Sequence, residues 1–197
     1  SSPSRGLGDV YKRQDNIQIM SNNLLKGKRG IIFGALNDMS IAWKVAERAQ
    51  EEGATFTLTN APIAMRMGAI NDLAEKTNSE VIPADATSVE DLKHLFKKSQ
   101  EILGGKIDFV LHSIGMSPNV RKKKPYIGLN YEWYKQTLDV SAMSLHKTLQ
   151  VAYDMDALNN WGSVLALTYI AAQRIFPDYN DMADAKSLLE SITRSFG

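Results

Sequence analysis

The 197 residues are enough for one well-buried domain and too few for two complete ones. The 23 basic side chains nearly balance the 22 acidic ones, which excludes a bulk attraction to nucleic acid or to an anionic membrane. The absence of cysteine excludes disulfides, thiolate metal sites and thiol nucleophiles, and it fits a reducing cytoplasm. No apolar run approaches the length of a membrane-spanning helix.

Residues 1–19 form a polar, irregular stretch without a hydrophobic period. Their GDVYKRQ portion resembles the translated adapter sequence found at the ends of some environmental reading frames. Orderly patterning begins just after Met20. We therefore predict that residues 1–19 are a non-native or disordered tail and that residues 20–197 form the domain.

From residue 26 onward, short apolar segments alternate with longer amphipathic ones. The predicted strands are 30–34, 55–59, 81–83, 107–112 and 162–168. The predicted helices are 41–53, 64–76, 89–103, 131–158 and 178–197. Strands that alternate with crossover-length helices form right-handed βαβ units, so the sequence predicts an α/β, Rossmann-like doubly wound parallel sheet. In such sheets ligands bind at the carboxyl ends of the strands.

The turn after the first strand has the properties that a dinucleotide pyrophosphate requires. Gly34 and Ala35 allow a close backbone approach, and Ser40 precedes a helix start whose N–H groups are free. The usual G-x-G-x-x-G motif is absent. A plain strand–loop–helix junction with a serine cap explains the segment equally well.

Two further strand ends carry polar residues. Asp85 follows the third strand, where it could accept a hydrogen bond from an adenine amino group or cap the helix that starts near Ser88. Gly115 closes the segment 112–115 (HSIG) after the fourth strand and would let the backbone pass close to a ribose or nicotinamide. We interpret His112 in this segment as a hydrogen-bonded core residue. No histidine has a partner at metal-ligand spacing, so no metal site is predicted.

Tyr169, Tyr179 and Lys186 form the most informative group. Seven positions separate Tyr179 from Lys186, which is about two helical turns and places both side chains on nearly one face. A nearby ammonium would lower the pKa of the phenol, and the same lysine could donate to ribose hydroxyls. Tyr169 lies just beyond the fifth strand, where a substrate should bind. From spacing alone, two packing tyrosines and a solvent-facing lysine remain the commoner explanation.

In this order, the segments resemble the enoyl-(acyl-carrier-protein) reductase branch of the short-chain dehydrogenase/reductase superfamily, most closely its Bacteroidetes type. The resemblance covers residues 24–197. It is carried by Gly34-x5-Ser40-x-Ala42, by Asp85 after the third strand, by the segment 112–115, and by Tyr179-x6-Lys186. Ordinary short-chain dehydrogenases place tyrosine and lysine four positions apart, so the seven-position spacing is typical of this divergent branch.

The resemblance implies an NAD(H) cofactor and assigns its contacts. Expected pyrophosphate contacts are Gly34, Ser40 and Ile41; expected adenine contacts are Asp85 and Ala86; expected contacts on the nicotinamide-ribose side are Ser113, Ile114, Gly115 and Lys186. At the end of the second strand, residues 60–62 lack the acidic residue typical of NAD sites, and Arg66 is the one nearby candidate for a 2′-phosphate.

The resemblance also implies the substrate, a trans-2-enoyl thioester on acyl carrier protein. Tyr179, Lys186 and Tyr169 are the expected catalytic residues, and Met116 and Ser117 are expected to border the substrate together with the two tyrosines. The expected reaction is hydride transfer to the β-carbon, followed by protonation of the α-carbon. The basic run 121–124 could attract an acidic carrier protein, although a short solvated loop is the commoner explanation.

Family members continue through two more strands and a substrate-binding segment, so the resemblance implies a sheet that misses its last strands and a chain of doubtful activity. The family also implies a homo-oligomer, typically a tetramer, with contacts through the helices near 131–158 and 178–196. Two other functions stay open. One is a non-catalytic dinucleotide-binding fragment, and the other is a short-chain dehydrogenase that acts on a hydroxyl or ketone.

Overall fold

The computed structural model describes residues 21–66 and 69–197, and the predicted tail at 1–19 lies outside them. In the described residues the sheet has the strand order β3-β2-β1-β4-β5, and every strand pair is parallel. The strands are β1 (Arg29–Phe33), β2 (Thr55–Thr59), β3 (Glu80–Val81), β4 (Ile107–His112) and β5 (Leu158–Ala166). This topology confirms the Rossmann-like doubly wound sheet that the alternation of segments predicts.

Helices connect consecutive strands and cover both faces of the sheet. They are α1 (Ile41–Glu51), α2 (Pro62–Met65), α3 (Ile70–Thr77), α4 (Val89–Leu103), α5 (Pro118–Arg121), α6 (Tyr131–Leu138), α7 (Ser144–Asp154) and α8 (Asn180–Phe196). A π-helical segment, Asp139–Met143, joins α6 to α7, and 3₁₀ turns lie at Tyr126–Gly128 and Ile170–Ala172. No helix of the described residues is both long and apolar enough to cross a bilayer.

Three predicted boundaries are wrong for local reasons. The predicted helix 64–76 is two helices, of which α2 begins with Pro62 at its first turn, where a missing N–H costs nothing. The predicted helix 131–158 changes to π geometry at Asp139–Met143 and ends at Asp154, before Asp156 takes a φ of 48°. Strand β5 begins four residues earlier than predicted, because the register shift between Ile107 and Phe109 accommodates extra residues in β5.

The core lies on both faces of β1, the central strand. Alternate side chains of a strand point to opposite faces, so Ile31 packs toward α4 while Ile32 packs toward α1. Each face is filled by apolar helix residues, Leu92 and Phe96 on one side and Ala46 on the other. This two-sided burial explains why β1 is a continuous apolar run, and it leaves the carboxyl ends of β1, β4 and β5 at one edge.

At that edge β1 and β4 approach each other closely through Gly34. Its φ is +87°, and a Cβ built on it would lie 1.8 Å from the carbonyl oxygen of Ser113. Its N–H donates to the carbonyl oxygen of Thr59 at 3.1 Å, so β2 is held at the same point. Glycine is therefore required at position 34 both by backbone conformation and by contact.

We predict that Gly34→Ala lowers the free energy of unfolding by at least ~3 kcal/mol, which combines the cost of a left-handed alanine with the displacement of a packed backbone. Gly27→Ala is the matched control, because Gly27 also has a positive φ of +74° but nothing within 4 Å of the added Cβ. Urea unfolding of both variants measures the difference. Equal losses of stability would show that the contact with Ser113 contributes nothing.

Candidate active site

A cavity of about 200 Å³ opens at the carboxyl ends of β4 and β5. It is lined by Ser113, Ile114, Gly115, Leu167, Tyr179, Met182 and Lys186. The segment after β4 forms one wall and the first two turns of α8 form the other. The structure thus brings together five of the residues that the sequence singled out.

Helix α8 explains how Tyr179 and Lys186 reach one cavity. Tyr179 occupies the N-cap position, and Lys186 follows two turns later on the buried side of the helix. Lys186 is only 7% exposed, and its Nζ donates to the carbonyl oxygens of Leu167 at 2.7 Å and of Ile114 at 3.4 Å. Burial lowers the pKa of its ammonium group. The alternative of a solvent-facing lysine is therefore wrong.

Gly115 lies beside this ammonium. A Cβ built on Gly115 would be 3.8 Å from Cε of Met182 and 3.9 Å from Nζ of Lys186, so a side chain here would fill part of the cavity. The glycine itself is exposed and leaves the space open.

Tyr179 lies beside a second aromatic ring rather than in direct contact with a cation. Its ring centroid is 4.8 Å from that of Tyr169, which also packs edge-on against Phe176 at 5.1 Å. Burial raises the pKa of the Tyr179 hydroxyl, and Tyr169 raises it further. The expectation that an ammonium lowers this pKa is wrong: burial and Tyr169 raise it, and two of the three N–H donors of Lys186 are directed at main-chain carbonyl oxygens.

The loop that carries Tyr169 is fastened to α8. Glu190 accepts hydrogen bonds from Thr168 Oγ1 at 2.8 Å and from Gln173 Nε2 at 3.2 Å, and Ser187 Oγ donates to the carbonyl oxygen of Ala172 at 2.8 Å. These hydrogen bonds lower the pKa of Glu190. The same helix therefore holds Tyr179, Lys186 and the loop of Tyr169.

The predicted pyrophosphate residues lie at the start of α1. Ser40 is at the N-cap position as expected, but its hydroxyl makes no capping bond and donates instead to the carbonyl oxygen of Asn37 at 2.6 Å. Ile41 is 64% exposed at the first turn. The first N–H groups of any helix lack intrahelical acceptors, so this turn can still bind an anion.

The predicted adenine residues form a fixed loop after β3. Asp85 Oδ1 accepts from the N–H and the hydroxyl of Thr87, both at 2.8 Å, and the helix cap at α4 is Ser88 rather than Asp85. Ala86 is buried in the core. Lys147 Nζ donates to the carbonyl oxygen of Thr87 at 3.0 Å and so ties this loop to α7.

Met116 and Ser117, the predicted substrate contacts, are held from two sides. Ser141 in the π-helical segment accepts from the Met116 N–H at 3.0 Å and donates to its carbonyl oxygen at 3.2 Å. Ser117 is buried, and its hydroxyl donates to Asp181 Oδ1 at 2.7 Å. Sequence reasoning missed Ser141 and Asp181, since neither stands in a recognisable motif.

His112 is the buried core residue that the sequence predicts. Its Nε2 lies 2.8 Å from Ser144 Oγ, and burial followed by the charge of Lys186 lowers its pKa to about 4. Among the described residues there is no cluster of three metal-ligating side chains.

The basic run 121–124 is exposed at the end of α5. Lys122 lies 5.4 Å from the ring centroid of Trp133, and the carbonyl oxygen of Lys124 accepts a hydrogen bond from Asn180, the residue next to Tyr179. The run thus lies close to the mouth of the cavity, which is compatible with either interpretation of it.

Comparison with known proteins decides the family. The model of a family described as enoyl-(acyl carrier protein) reductase matches residues 34–197. The chain belongs to this family. A relative from Rickettsia bellii, an enoyl-(acyl-carrier-protein) reductase (NADH), is 34% identical over 89% of this chain and 66% of its own length. A reductase of the same description from Aquifex aeolicus is 34% identical over 87% of this chain and 63% of its own length.

Solved structures of the reductase family agree with the fold. The crystal structure of FabI from Alistipes finegoldii is 66% identical, with a TM-score of 0.87 over 89% of this chain and 67% of that one. The FabI–NADH complex from the same organism has the same identity and TM-score over 62% of its chain. The present chain therefore spans about two thirds of the length of its reductase relatives.

The buried His112 predicts a pH dependence of stability. Its pKa lies near 6.5 in an unfolded chain and about 4 in the folded one, so below pH 6.5 the unfolded state binds a proton that the folded state does not. Stability from this residue is complete above pH 6.5 and is lost as the pH falls toward 4. We expect a loss of about 2 kcal/mol between pH 7 and 4.5 that disappears in His112→Gln.

Urea unfolding at the two pH values measures this loss. The control is His94→Gln, which replaces an exposed histidine of α4. An unchanged pH dependence in His112→Gln would contradict the assignment.

Proposed function

We propose that the protein reduces trans-2-enoyl thioesters of acyl carrier protein with NADH, a step of type II fatty acid synthesis. The observation that carries the proposal is the convergence of Tyr179, Lys186 and Gly115 on one cavity at the carboxyl edge of the sheet. Family membership and the NADH named for its relatives support the same reaction.

At the cofactor end, Lys186 would donate to the nicotinamide ribose and Gly115 would leave room for the ring. Gly34, Ser40 and Ile41 would hold the pyrophosphate, and Asp85 and Ala86 the adenine. When bound, NADH supplies a hydride for the β-carbon of the enoyl group. The two carbonyl oxygens that Lys186 contacts fix its ammonium in place beforehand, so little rotamer freedom is lost on binding.

At the substrate end, Tyr179 would donate a hydrogen bond to the thioester oxygen. Addition of a hydride to the β-carbon would move the double-bond electrons toward that oxygen and form an enolate, and a proton from water would then add to the α-carbon. The raised pKa of Tyr179 keeps its hydroxyl protonated near neutral pH, which is the state that a donor needs. Tyr169, whose ring packs at a tilt beside that of Tyr179, would border the acyl chain together with Met116.

The proposal extends to partners and location. The substrate is a thioester carried by acyl carrier protein, which fits a cytoplasmic location for the enzyme. A homo-oligomer, a tetramer in the family pattern, would form through the helices near 131–158 and 178–196. Neither nucleic acid nor a membrane is a proposed partner. Light scattering of the purified protein tests the oligomer.

The choice of substrate tests the reaction. We expect the protein to oxidise NADH with an enoyl thioester and not with a 3-ketoacyl thioester. Hydride addition to a conjugated enoyl group places negative charge on the thioester oxygen, where Tyr179 is proposed to donate, whereas reduction of a 3-keto group places it on the ketone oxygen. Absorbance at the NADH band measures both. Oxidation with the ketoacyl substrate alone would favour a ketone dehydrogenase, and NADH binding without either reaction would favour a non-catalytic binding protein.

Substitutions of Tyr179 and Lys186 should affect different kinetic and binding constants. Tyr179→Phe should lower kcat by roughly 10²-fold, as the loss of one oxyanion donor does, with NADH binding retained. Lys186→Ala should mainly raise the dissociation constant of NADH, measured by fluorescence titration. Tyr126→Phe is the control, since the Tyr126 hydroxyl is bound to Asp184 outside the cavity. Unchanged NADH affinity in Lys186→Ala would refute the ribose contact.

A further inference from the structure

A buried carboxylate lies directly behind the cavity. Asp181 is 0% exposed in the first turn of α8, two residues after Tyr179 and five before Lys186. It accepts side-chain hydrogen bonds from Ser117 Oγ at 2.7 Å and from Asn119 Nδ2 at 2.8 Å. A third donor, Thr137 Oγ1, lies 2.9 Å away and shares its hydrogen with the carbonyl oxygen of Trp133 at 2.8 Å. The carboxylate therefore joins α8 to the segment after β4 and to α6.

The side chains around position 181 require a hydrogen-bond acceptor there, and not merely a polar side chain. Ser117 Oγ already accepts from the N–H of Val120, so its own hydrogen is free to donate. Asn119 uses its Oδ1 for the N–H of Asn130 and its second amide hydrogen for the carbonyl oxygen of Asn130, which fixes the orientation of the amide. Donors thus point at Asp181, and a carboxylate offers acceptors alone.

Two of the elements that Asp181 joins, α8 and the segment after β4, are the two walls of the cavity. Ser117 lies two residues beyond Gly115, and Met182, the residue after Asp181, lines the cavity itself. Ser141 holds Met116 from the opposite side. The carboxylate therefore links α8 to the wall that carries Gly115.

We propose that Asp181 is a positioning residue, whose buried carboxylate sets the distance between the Tyr179–Lys186 helix and the Gly115 segment. The inference rests on the proposed reductase function for its kinetic consequence. Reacting groups that are misplaced by about 1 Å can lose roughly 10²-fold in rate, so a small shift of α8 is enough to slow turnover. The helix N-terminus also favours the negative charge at this position.

The test compares two isosteric changes on the same helix, Asp181→Asn and Asp184→Asn. Asp184 accepts hydrogen bonds from the hydroxyls of Tyr126 and Tyr134, away from the cavity. We expect Asp181→Asn to lower kcat with an enoyl thioester at least tenfold and to weaken NADH binding at least threefold. Asp184→Asn should change both by less than twofold. Measurements below the melting temperature of each variant separate these effects from lost stability.

Ser117→Ala keeps the carboxylate and removes one donor, so it serves if Asp181→Asn does not fold. It should lower kcat about threefold. The double variant Ser117→Ala, Asp181→Asn should have a kcat no lower than that of Asp181→Asn alone, because both substitutions break the same linkage. The proposal is overturned if a folded Asp181→Asn variant has the kcat and the NADH affinity of the wild type. If Asp181→Asn does not fold, the same result in Ser117→Ala overturns it. If the unsubstituted protein reduces no enoyl thioester, the proposed function fails, and the NADH affinities still decide the role of Asp181.

Discussion

Helix α8 is held against the sheet by two buried charges, and the candidate site depends on both. Burying an ionised group is costly unless its hydrogen bonds are replaced. Asp181 recovers them from three donors, while Lys186 recovers them from the carbonyl oxygens of Ile114 and Leu167. The first linkage fixes the start of the helix and the second fixes its next turns across β4 and β5. The orientation of the helix is therefore specified by directional bonds rather than by apolar contact alone.

The loop after β3, which is proposed to hold the adenine, is anchored by a second set of contacts. These contacts meet the first set at the π-helical segment Asp139–Met143. Lys147 donates to Asp139 within that region and to the carbonyl oxygen of Thr87, while Ser141 holds Met116. An extra residue per turn in a π-helix redirects side chains that regular α-helix would place elsewhere. The proposed adenine loop and the proposed nicotinamide wall are thus both anchored to one irregular helix.

The chemistry expected of Tyr179 changes once its surroundings are known. A tyrosine beside a free ammonium would be a proton-transfer group with a lowered pKa. Here the ammonium of Lys186 is directed at main-chain oxygens, and burial raises the pKa of the tyrosine. In the proposed reaction the two residues would therefore have different roles: the lysine would hold the cofactor, and the tyrosine would act as a neutral hydrogen-bond donor to the substrate.

Local sequence patterns were enough to predict much of the fold of this protein. The limits of β2, α4 and β4 follow from β-branched runs, a capping serine and helical spacing, because short-range preferences and the hydrophobic period agree there. The order of segments also led to the family, and with it to Gly34, Gly115, Tyr179 and Lys186. What these residues share is a fixed distance from a strand end or from each other along the chain.

Tertiary structure alone decided the rest. The partners of Asp181 lie 44 to 64 positions away in the chain, so no local period could reveal that a carboxylate after Tyr179 is buried and bonded. Asp85 and Ser40 stand where the sequence predicts ligand contacts, yet the side chain of each is hydrogen-bonded within its own loop. Asp85 accepts from Thr87, and the Ser40 hydroxyl donates to the carbonyl oxygen of Asn37. The pKa of a side chain and its remaining hydrogen-bonding capacity depend on the atoms that folding brings near it. For Lys186 those atoms are carbonyl oxygens just beyond the ends of β4 and β5.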